Sequence, residues 1–487
     1  MAYLQKSLLK HSFIYGASDI ANRLIGFLLI PVYARFLLPD EYGTLQLLLI
    51  LFNLIFIIVQ YGIGSAIFKS VIYNQNTDKK LVYSTAFYFL LISAFLFLTV
   101  IFLKTDSISM LIFRTSGHSL LLRIVIVSAF FNVFAVVPLA KLRIENNSLK
   151  FGVILIVKFL FQMLLNILFV VFLKKGIFGI LISECIVSGI FTIVYTVILS
   201  DSLRLKFSFA ELKEMLEYGL PLVPASIAML ILTMSDRYLL KCYAGLDQVG
   251  YYSLAYKFGM IIGMMVSAFQ KAWPSAMFNI AKERNAKEVF AKNFTYFFLF
   301  LSFMALVLSL FAKEIILVFA SEKYLPGFKI IPFISLAFIF YGVYYFTAIG
   351  LNLKKKTYYQ SLAVSIAAAI NIGLNIILIP KFGIVGASSA TLISFIVMSG
   401  TASMISNHFY PVPYEINRII KIFLLFVVFV TIPYIVTCNN MALNILIKIC
   451  LVLLFFIFLI GFKFFKVEEL NYIKKWYNKI RSGSAES

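Results

Sequence analysis

Residues 82–103, VYSTAFYFLLISAFLFLTVIFL, form a run of 22 residues without a charged side chain. Coiled as an α-helix at about 1.5 Å per residue, the run is about 33 Å long, enough to cross the hydrocarbon core of a bilayer. Its apolar residues follow one another without alternation, so it reads as a lipid-embedded helix and not as a barrel strand. The same pattern continues in both directions. Fourteen such runs lie at approximately 12–37, 44–68, 82–103, 119–140, 151–173, 177–200, 217–241, 248–273, 294–318, 330–352, 361–380, 383–406, 420–438 and 443–463. The thinnest separators are Lys174-Lys175-Gly176, between the fifth and sixth spans, and Pro380-Lys381-Phe382-Gly383, between the eleventh and twelfth.

Composition agrees. Of 487 residues, 62% are hydrophobic and 13% charged, and the mean hydropathy is +0.97. A soluble chain is nearer half apolar and a quarter charged. This composition excludes a cytosolic enzyme, a secreted domain and a disordered chain. The fold class expected is an all-α polytopic membrane protein. Cys185, Cys242, Cys438 and Cys450 are far apart and read as thiols buried in helices. The three histidines, His11, His118 and His408, are equally scattered, so no metal site is expected. The first run contains Asp19 and Arg23 and lacks a small-residue cleavage site, which makes it an uncleaved span.

Charge asymmetry sets the orientation. With the N-terminus inside, cytoplasmic segments hold 26 of the 43 Lys and Arg residues and outer loops hold 8. Positive residues favour the cytoplasmic side, so both termini are expected there. The net charge of +22 then reflects topology and anionic lipid, without nucleic acid. No loop exceeds about 16–18 residues. That leaves no room for an extramembrane catalytic domain, so the chain is not expected to be an enzyme.

The two halves echo each other. Tyr15-Gly16 recurs as Tyr218-Gly219, Asp40-x-x-Gly43-x-x-x-Leu47 as Asp247-x-x-Gly250-x-x-x-Leu254, Leu165-Asn166 as Leu374-Asn375, and Gly176-x-x-Gly179 as Gly383-x-x-Gly386. The matches keep their order at offsets of 203–209. A six-span unit returns to the side it started from, so the pseudo-twofold is expected along the membrane normal, the plan of a transporter with alternating access. The expected organisation is a six-helix lobe over 1–200, a cytoplasmic linker over 201–216, a second six-helix lobe over 217–407, and helices 13 and 14 with a basic tail over 408–487.

Charges at membrane depth are expensive and call for a role. In the first span Asp19, Asn22, Arg23 and Gly26 share one helix face, and Arg23 lies about 16 Å in. Lys158, Gln162 and Asn166 are spaced i, i+4, i+8 in the fifth span. Glu184 is a third of the way into the sixth, Asp236 and Arg237 are near the outer end of the seventh, and Lys257 and Lys271 share a face of the eighth. Arg35, Arg123, Lys241 and Lys448 read as interfacial anchors. A modest cationic surplus of interior groups suits an anionic cargo, above all a phosphate or diphosphate.

Three motifs together carry a resemblance: Ile30 to Leu47, IPVYARFLLPDEYGTLQL; Tyr218 to Pro224, YGLPLVP, with Ser235 to Leu240, SDRYLL; and Val249 to Lys257, VGYYSLAYK. These resemble the oligosaccharide flippase (Wzx-type) branch of the multidrug/oligosaccharidyl-lipid/polysaccharide exporter superfamily, in order across spans 1–12. The arginine cluster typical of the lipid II branch is thin here. The resemblance implies movement of a polyprenyl-diphosphate-linked oligosaccharide from the inner to the outer leaflet of the cytoplasmic membrane, for O-antigen, lipopolysaccharide, capsule or another surface polysaccharide. It implies two lobes around a cationic cavity, a lipid-tail groove by spans 13 and 14, membrane lipids and polysaccharide polymerase machinery as partners, and no cofactor beyond proton or sodium coupling. Carried onto this chain, Arg23, Lys158 and Lys257 meet the diphosphate, with Arg237 and Lys271 on the gate side and Asn22, Gln162 and Asn166 lining the cavity. Asp19, Glu184 and Asp236 become ion-coupling candidates. The motifs themselves reach only Asp236, Arg237 and Lys257; depth and spacing suggest the others. An ion-coupled drug or cation antiporter of the same superfamily is the competing reading, and it puts the weight on the acidic residues.

Overall fold

The computed structural model describes residues 27–73, 78–354, 356, 358–435, 440–462 and 464. Among the described residues it is built of helices, with no β-strand. Twelve helices among the described residues are long and apolar enough to cross a membrane. One of them, Tyr358–Phe409, contains Gly383 at φ 55° and ψ −129°. A glycine tolerates this left-handed backbone, and Pro380 just before it lacks an N–H, so the helix is two arms meeting at Pro380–Gly383. Counted as two, the arms bring the crossing segments into register with the second to fourteenth spans of the sequence. The first run is described only from residue 27 onward, where Ile30–Phe36 is helical. The other thin separator resolves similarly. The helix Ser148–Ile167 ends in a wide turn, Leu168–Phe172, and Lys174 and Gly176 take positive φ before Gly176–Ser200 begins.

Among the described residues, several spans are interrupted within their length. Pro39–Gln60 stops at Tyr61 and Gly62, both left-handed, and Ile63–Tyr73 restarts the span. Ser119–Val133 gives way to Val136–Ile144 across Phe134 and Ala135. Phe209–Gly219 gives way to Leu222–Ala244 across Leu220 and Pro221. Helix starts follow local chemistry. The Glu41 carboxylate accepts the Leu38 N–H at 2.8 Å, and Asp78, Asn147 and Ser208 accept first-turn N–H groups.

By contact density the chain divides into two compact units. One holds the described part of Met1–Lys257 with Ile316–Phe328 and Val364–Ala390. Its core runs through Val59, Ile63, Ala66, Val82, Ala86 and Leu90. Here the two copies of the Asp-x-x-Gly repeat pack on each other. A Cβ on Gly43 would lie 2.1 Å from the Leu246 carbonyl oxygen, and one on Gly250 would lie 1.9 Å from that of Pro39. Pro39 and Leu246, like Gly43 and Gly250, are repeat mates, so the contact is reciprocal. Only glycine allows that backbone approach.

The other unit holds Phe258–Ile315, Lys329–Ala363 and the described part of Thr391–Ser487. Its core is aromatic, with Phe269, Trp273 and Phe346 stacked within 5.7 Å of one another. Gly259 and Gly263 admit Ile334 and Phe338, which a Cβ would meet at 2.6 Å. Lys448, read from the sequence as an interfacial anchor, is instead buried, and its ammonium reaches both Glu314 oxygens at 2.6 and 2.8 Å. Hydropathy marked its depth, but only packing supplied the carboxylate that holds it there.

Candidate functional site

Three helices of the first unit bring a polar network together. Lys158, Gln162 and Asn166 stand on one face of Ser148–Ile167, Ser128 and Asn132 on one face of Ser119–Val133, and Glu184 and Ser188 on one face of Gly176–Ser200, each set at four-residue spacing. Lys158 donates to Asn132 Oδ1 at 2.8 Å, and its Nζ lies 3.8 Å from Glu184 Oε1. Glu184 Oε1 also accepts from Ser188 Oγ at 2.8 Å and from Asn132 Nδ2 at 3.1 Å. With its amide oriented to suit its neighbours, Gln162 donates to Glu184 Oε2 at 3.2 Å and accepts from Asn166 Nδ2 at 3.3 Å. Asn166 is 1% exposed, and its Oδ1 has no hydrogen-bond partner among the described residues. Lys158 is about 15 Å along its helix and Glu184 about 12 Å along its own, well inside the apolar span. The carboxylate is 32% exposed at its side chain and the ammonium 18%. The network is thus partly open.

Four residues singled out in the sequence, Lys158, Gln162, Asn166 and Glu184, therefore meet in space. Asn132 and Ser188 were missed. Their signal was present: Asn132 is an amide in an otherwise apolar run, and Ser188 follows Glu184 by one helical turn.

The remaining candidates sit elsewhere. Asp236 and Arg237 are 2% and 6% exposed and bond to each other at 3.0 Å. The Arg237 guanidinium also donates to the Thr233 carbonyl and lies over the Tyr256 and Tyr252 rings, at 4.6 and 5.5 Å. Tyr252 donates its phenolic hydrogen to Asp236. The pair is a closed, aromatic-walled knot. Lys257 is half-buried, with its ammonium 5.4 Å from the Tyr42 ring centre. Tyr42 in turn packs edge-on against Tyr324. Lys158 and Arg237 each have beside them one of the carboxylates already set against the interior cations in the sequence. Asp19, Asn22 and Arg23 lie outside the described residues, as does the side chain of Lys271. Lys141, counted among the cytoplasmic loop cations, is buried and donates to the Ile198 carbonyl at 3.0 Å. There it caps the C-terminal, negative end of Gly176–Ser200. Among the described residues, no group of three His, Cys, Asp or Glu side chains is placed to hold a metal.

Comparison with known proteins adds the following. The sequence profile described as polysaccharide biosynthesis protein matches residues 32–329. An uncharacterized membrane protein of Methanocaldococcus jannaschii is 26% identical over 202 residues. That alignment spans 39% of each protein, well under two thirds of the relative's length. Among solved structures, the lipid II flippase MurJ in an inward closed conformation has a TM-score of 0.73 at 18% identity, over 92% of this chain and 99% of that one. The Vibrio cholerae MATE transporter VcmN, in a mutant form, has a TM-score of 0.60 at 16% identity, over 84% and 97%. An inward-facing multidrug resistance MATE family transporter of the MOP superfamily has a TM-score of 0.64 at 16% identity, over 79% and 94%. At these identities the likeness is one of fold.

Proposed function

The chain belongs to the polysaccharide biosynthesis protein family, and on that premise we propose that it is a flippase for polyprenyl-diphosphate-linked oligosaccharides. It turns the assembled unit from the inner to the outer leaflet of the cytoplasmic membrane by alternating access, with both termini cytoplasmic. The observation that carries this reading is the Lys158–Asn132–Glu184–Gln162 network at membrane depth. A bundle that served only as a scaffold would fill these positions with apolar side chains and avoid the desolvation. The fold shared with a lipid II flippase and with MATE transporters supports a transport role. Family membership favours a glycan cargo over the drug antiporter reading.

In this mechanism the two pseudo-symmetric lobes rock about a central cavity. Arg23, Lys158 and Lys257 attract the diphosphate, while Asn22, Gln162 and Asn166 bond to it or to the first sugar. Arg237 and Lys271 hold gate-side positions. Glu184, three-way hydrogen-bonded yet a third exposed, is the coupling group best placed to exchange a proton, with Asp19 and Asp236 as further candidates. When the diphosphate approaches Lys158, the ammonium has a choice between phosphate and Glu184, and that competition links cargo binding to the carboxylate's charge. Polysaccharide polymerase machinery receives the flipped unit. The test is a leaflet-resolved measurement of polyprenyl-diphosphate glycans in cells lacking the protein. The complete unit accumulates on the inner leaflet. Normal outer-leaflet glycan, together with export of cationic compounds by the purified protein, would shift the assignment to the antiporter.

A further inference from the structure

The sequence suggests a cytoplasmic linker over residues 201–216, between the two repeats. A linker in water is ordinarily polar. This one carries three large apolar side chains within five residues. Leu205 is 97% exposed and Phe209 80%, Phe207 is exposed between them, and the Phe207 and Phe209 rings meet edge-on at 5.0 Å. Exposed cations alternate with them along the chain, Arg204 before Leu205 and Lys206 before Phe207. An apolar group this open marks a surface that something else covers.

The backbone of the segment is fastened to the helix Lys79–Leu103, and that fixes its depth. Ser84 Oγ accepts the Arg204 N–H at 2.8 Å, and Thr85 Oγ1 accepts the Ser208 N–H at 3.1 Å. The Arg204 guanidinium reaches Asp78, just before the same helix, at 2.7 Å. The uncharged run of that helix begins at Val82, so Ser84 and Thr85 lie two and three residues inside it. At the helical rise this is about 3–5 Å past the start of the run. Residues 204–208 therefore cross the helix at the edge of the hydrocarbon. The chain continues at the same edge, because Phe209–Gly219 begins a 36-residue apolar stretch, Phe209–Ala244, long enough to cross a membrane. That helix turns Leu212, Met215 and Gly219 into the protein and leaves Phe209 outside.

We propose that residues 204–209 are an in-plane membrane anchor. Leu205, Phe207 and Phe209 enter the boundary between headgroups and acyl chains, and the Lys206 ammonium stays among the headgroup phosphates. Aromatic rings with interleaved cations are the composition that this boundary favours. A soluble partner would have to reach these side chains at a depth that lipid already fills. The anchor uses the bilayer surface as a whole and selects no particular headgroup, so it stands whether or not the chain flips glycans. It makes the connection between the two repeats a fixed point on the membrane surface, where a free tether would let it drift.

The test places a tryptophan at each end of the segment. Full-length Leu205→Trp and Phe209→Trp are reconstituted into vesicles of phosphatidylcholine and phosphatidylglycerol. The signal read is the fluorescence that each adds to that of Trp273 and Trp476 in the wild type. Both positions are exposed, so neither substitution disturbs packing. In both variants the added emission is expected to the blue of tryptophan in water. Phospholipid brominated near the headgroup end of its acyl chains quenches it more than phospholipid brominated at mid-chain, and quenching by aqueous iodide is lost. Quenching by iodide without quenching by brominated lipid places the segment in water. Shielding from both quenchers places it against protein, a second copy or a partner. Either result overturns the anchor, as does stronger quenching from the mid-chain bromines.

Discussion

The Lys158–Glu184 pair can be put to a quantitative test. The two charges are 3.8 Å apart, with side chains 18% and 32% exposed. Coulomb attraction at that distance is about 1 kcal/mol in bulk water and about 4 kcal/mol at an effective dielectric near 20. Partial exposure puts the coupling between these limits. Lys158→Met removes the ammonium but leaves Glu184 with donors from Asn132, Ser188 and Gln162. Glu184→Gln keeps an acceptor for Asn132 and Ser188 while deleting the charge. Lys158→Met also takes the donor from Asn132 Oδ1, and Glu184→Gln turns an amide nitrogen toward one of the carboxylate's donors, so each single variant loses about 1–3 kcal/mol. The double variant loses less than their sum by about 1–4 kcal/mol. The assay is reversible unfolding of the purified protein and the three variants in mixed micelles, followed by circular dichroism and closed as a double-mutant cycle. Additivity within about 0.5 kcal/mol would refute the reasoning, because groups that do not act on each other behave so. It would also remove the electrostatic link between diphosphate and carboxylate on which the proposed coupling rests.

Further outcomes follow from other parts of the molecule. Gly250→Ala forces a Cβ to within 1.9 Å of the Pro39 carbonyl oxygen and lowers stability by about 1–3 kcal/mol, whereas Gly400→Ala, with nothing within 4 Å, does not destabilise; comparison of their unfolding curves checks this. Lys448→Met leaves Glu314 largely buried without its cation and costs about 3–5 kcal/mol, and adding Glu314→Leu recovers most of it; equal stability of the single and double variants would contradict the pairing. Burial lowers the His118 pKa below its ordinary value of 6.5. The unfolded chain therefore takes up a proton first as the pH falls, so the stability tied to neutral His118 is full above about 6.5 and is lost as the pH drops toward the folded pKa. His118→Gln flattens that part of the stability profile, and an NMR midpoint at or above 6.5 would contradict the burial effect.

Much of the fold was legible because lipid makes hydrophobicity a strong local signal. Span positions, the two thin separators and the glycine repeat were all recognisable as runs and spacings. Pro380–Gly383 and Lys174–Gly176 proved to be genuine breaks because proline and left-handed glycine end a helix wherever it lies. The internal break at Phe134–Ala135 lies one turn before Pro138, which cannot bond back to the Phe134 carbonyl, whereas the break at Tyr61–Gly62 was not legible, since glycine does not forbid a continuous helix.

The candidate site divides along the same line. Lys158, Gln162 and Asn166 announce a shared face by their spacing, and Glu184 stands out by its charge. Nothing in the spacing says that Glu184 faces Lys158, or that Asn132, 26 residues earlier than Lys158, is the amide between them. Arg237 looked available for a cargo until Asp236 and two tyrosines were found around it. Sequence alone determined the membrane as solvent, the positions of most spans, and which residues lie too deep to be indifferent. The tertiary structure alone decided which of those charges are neutralised and which face an opening. The reason is physical: transfer to lipid depends on each helix separately, whereas ion pairing depends on how neighbouring helices are packed and rotated.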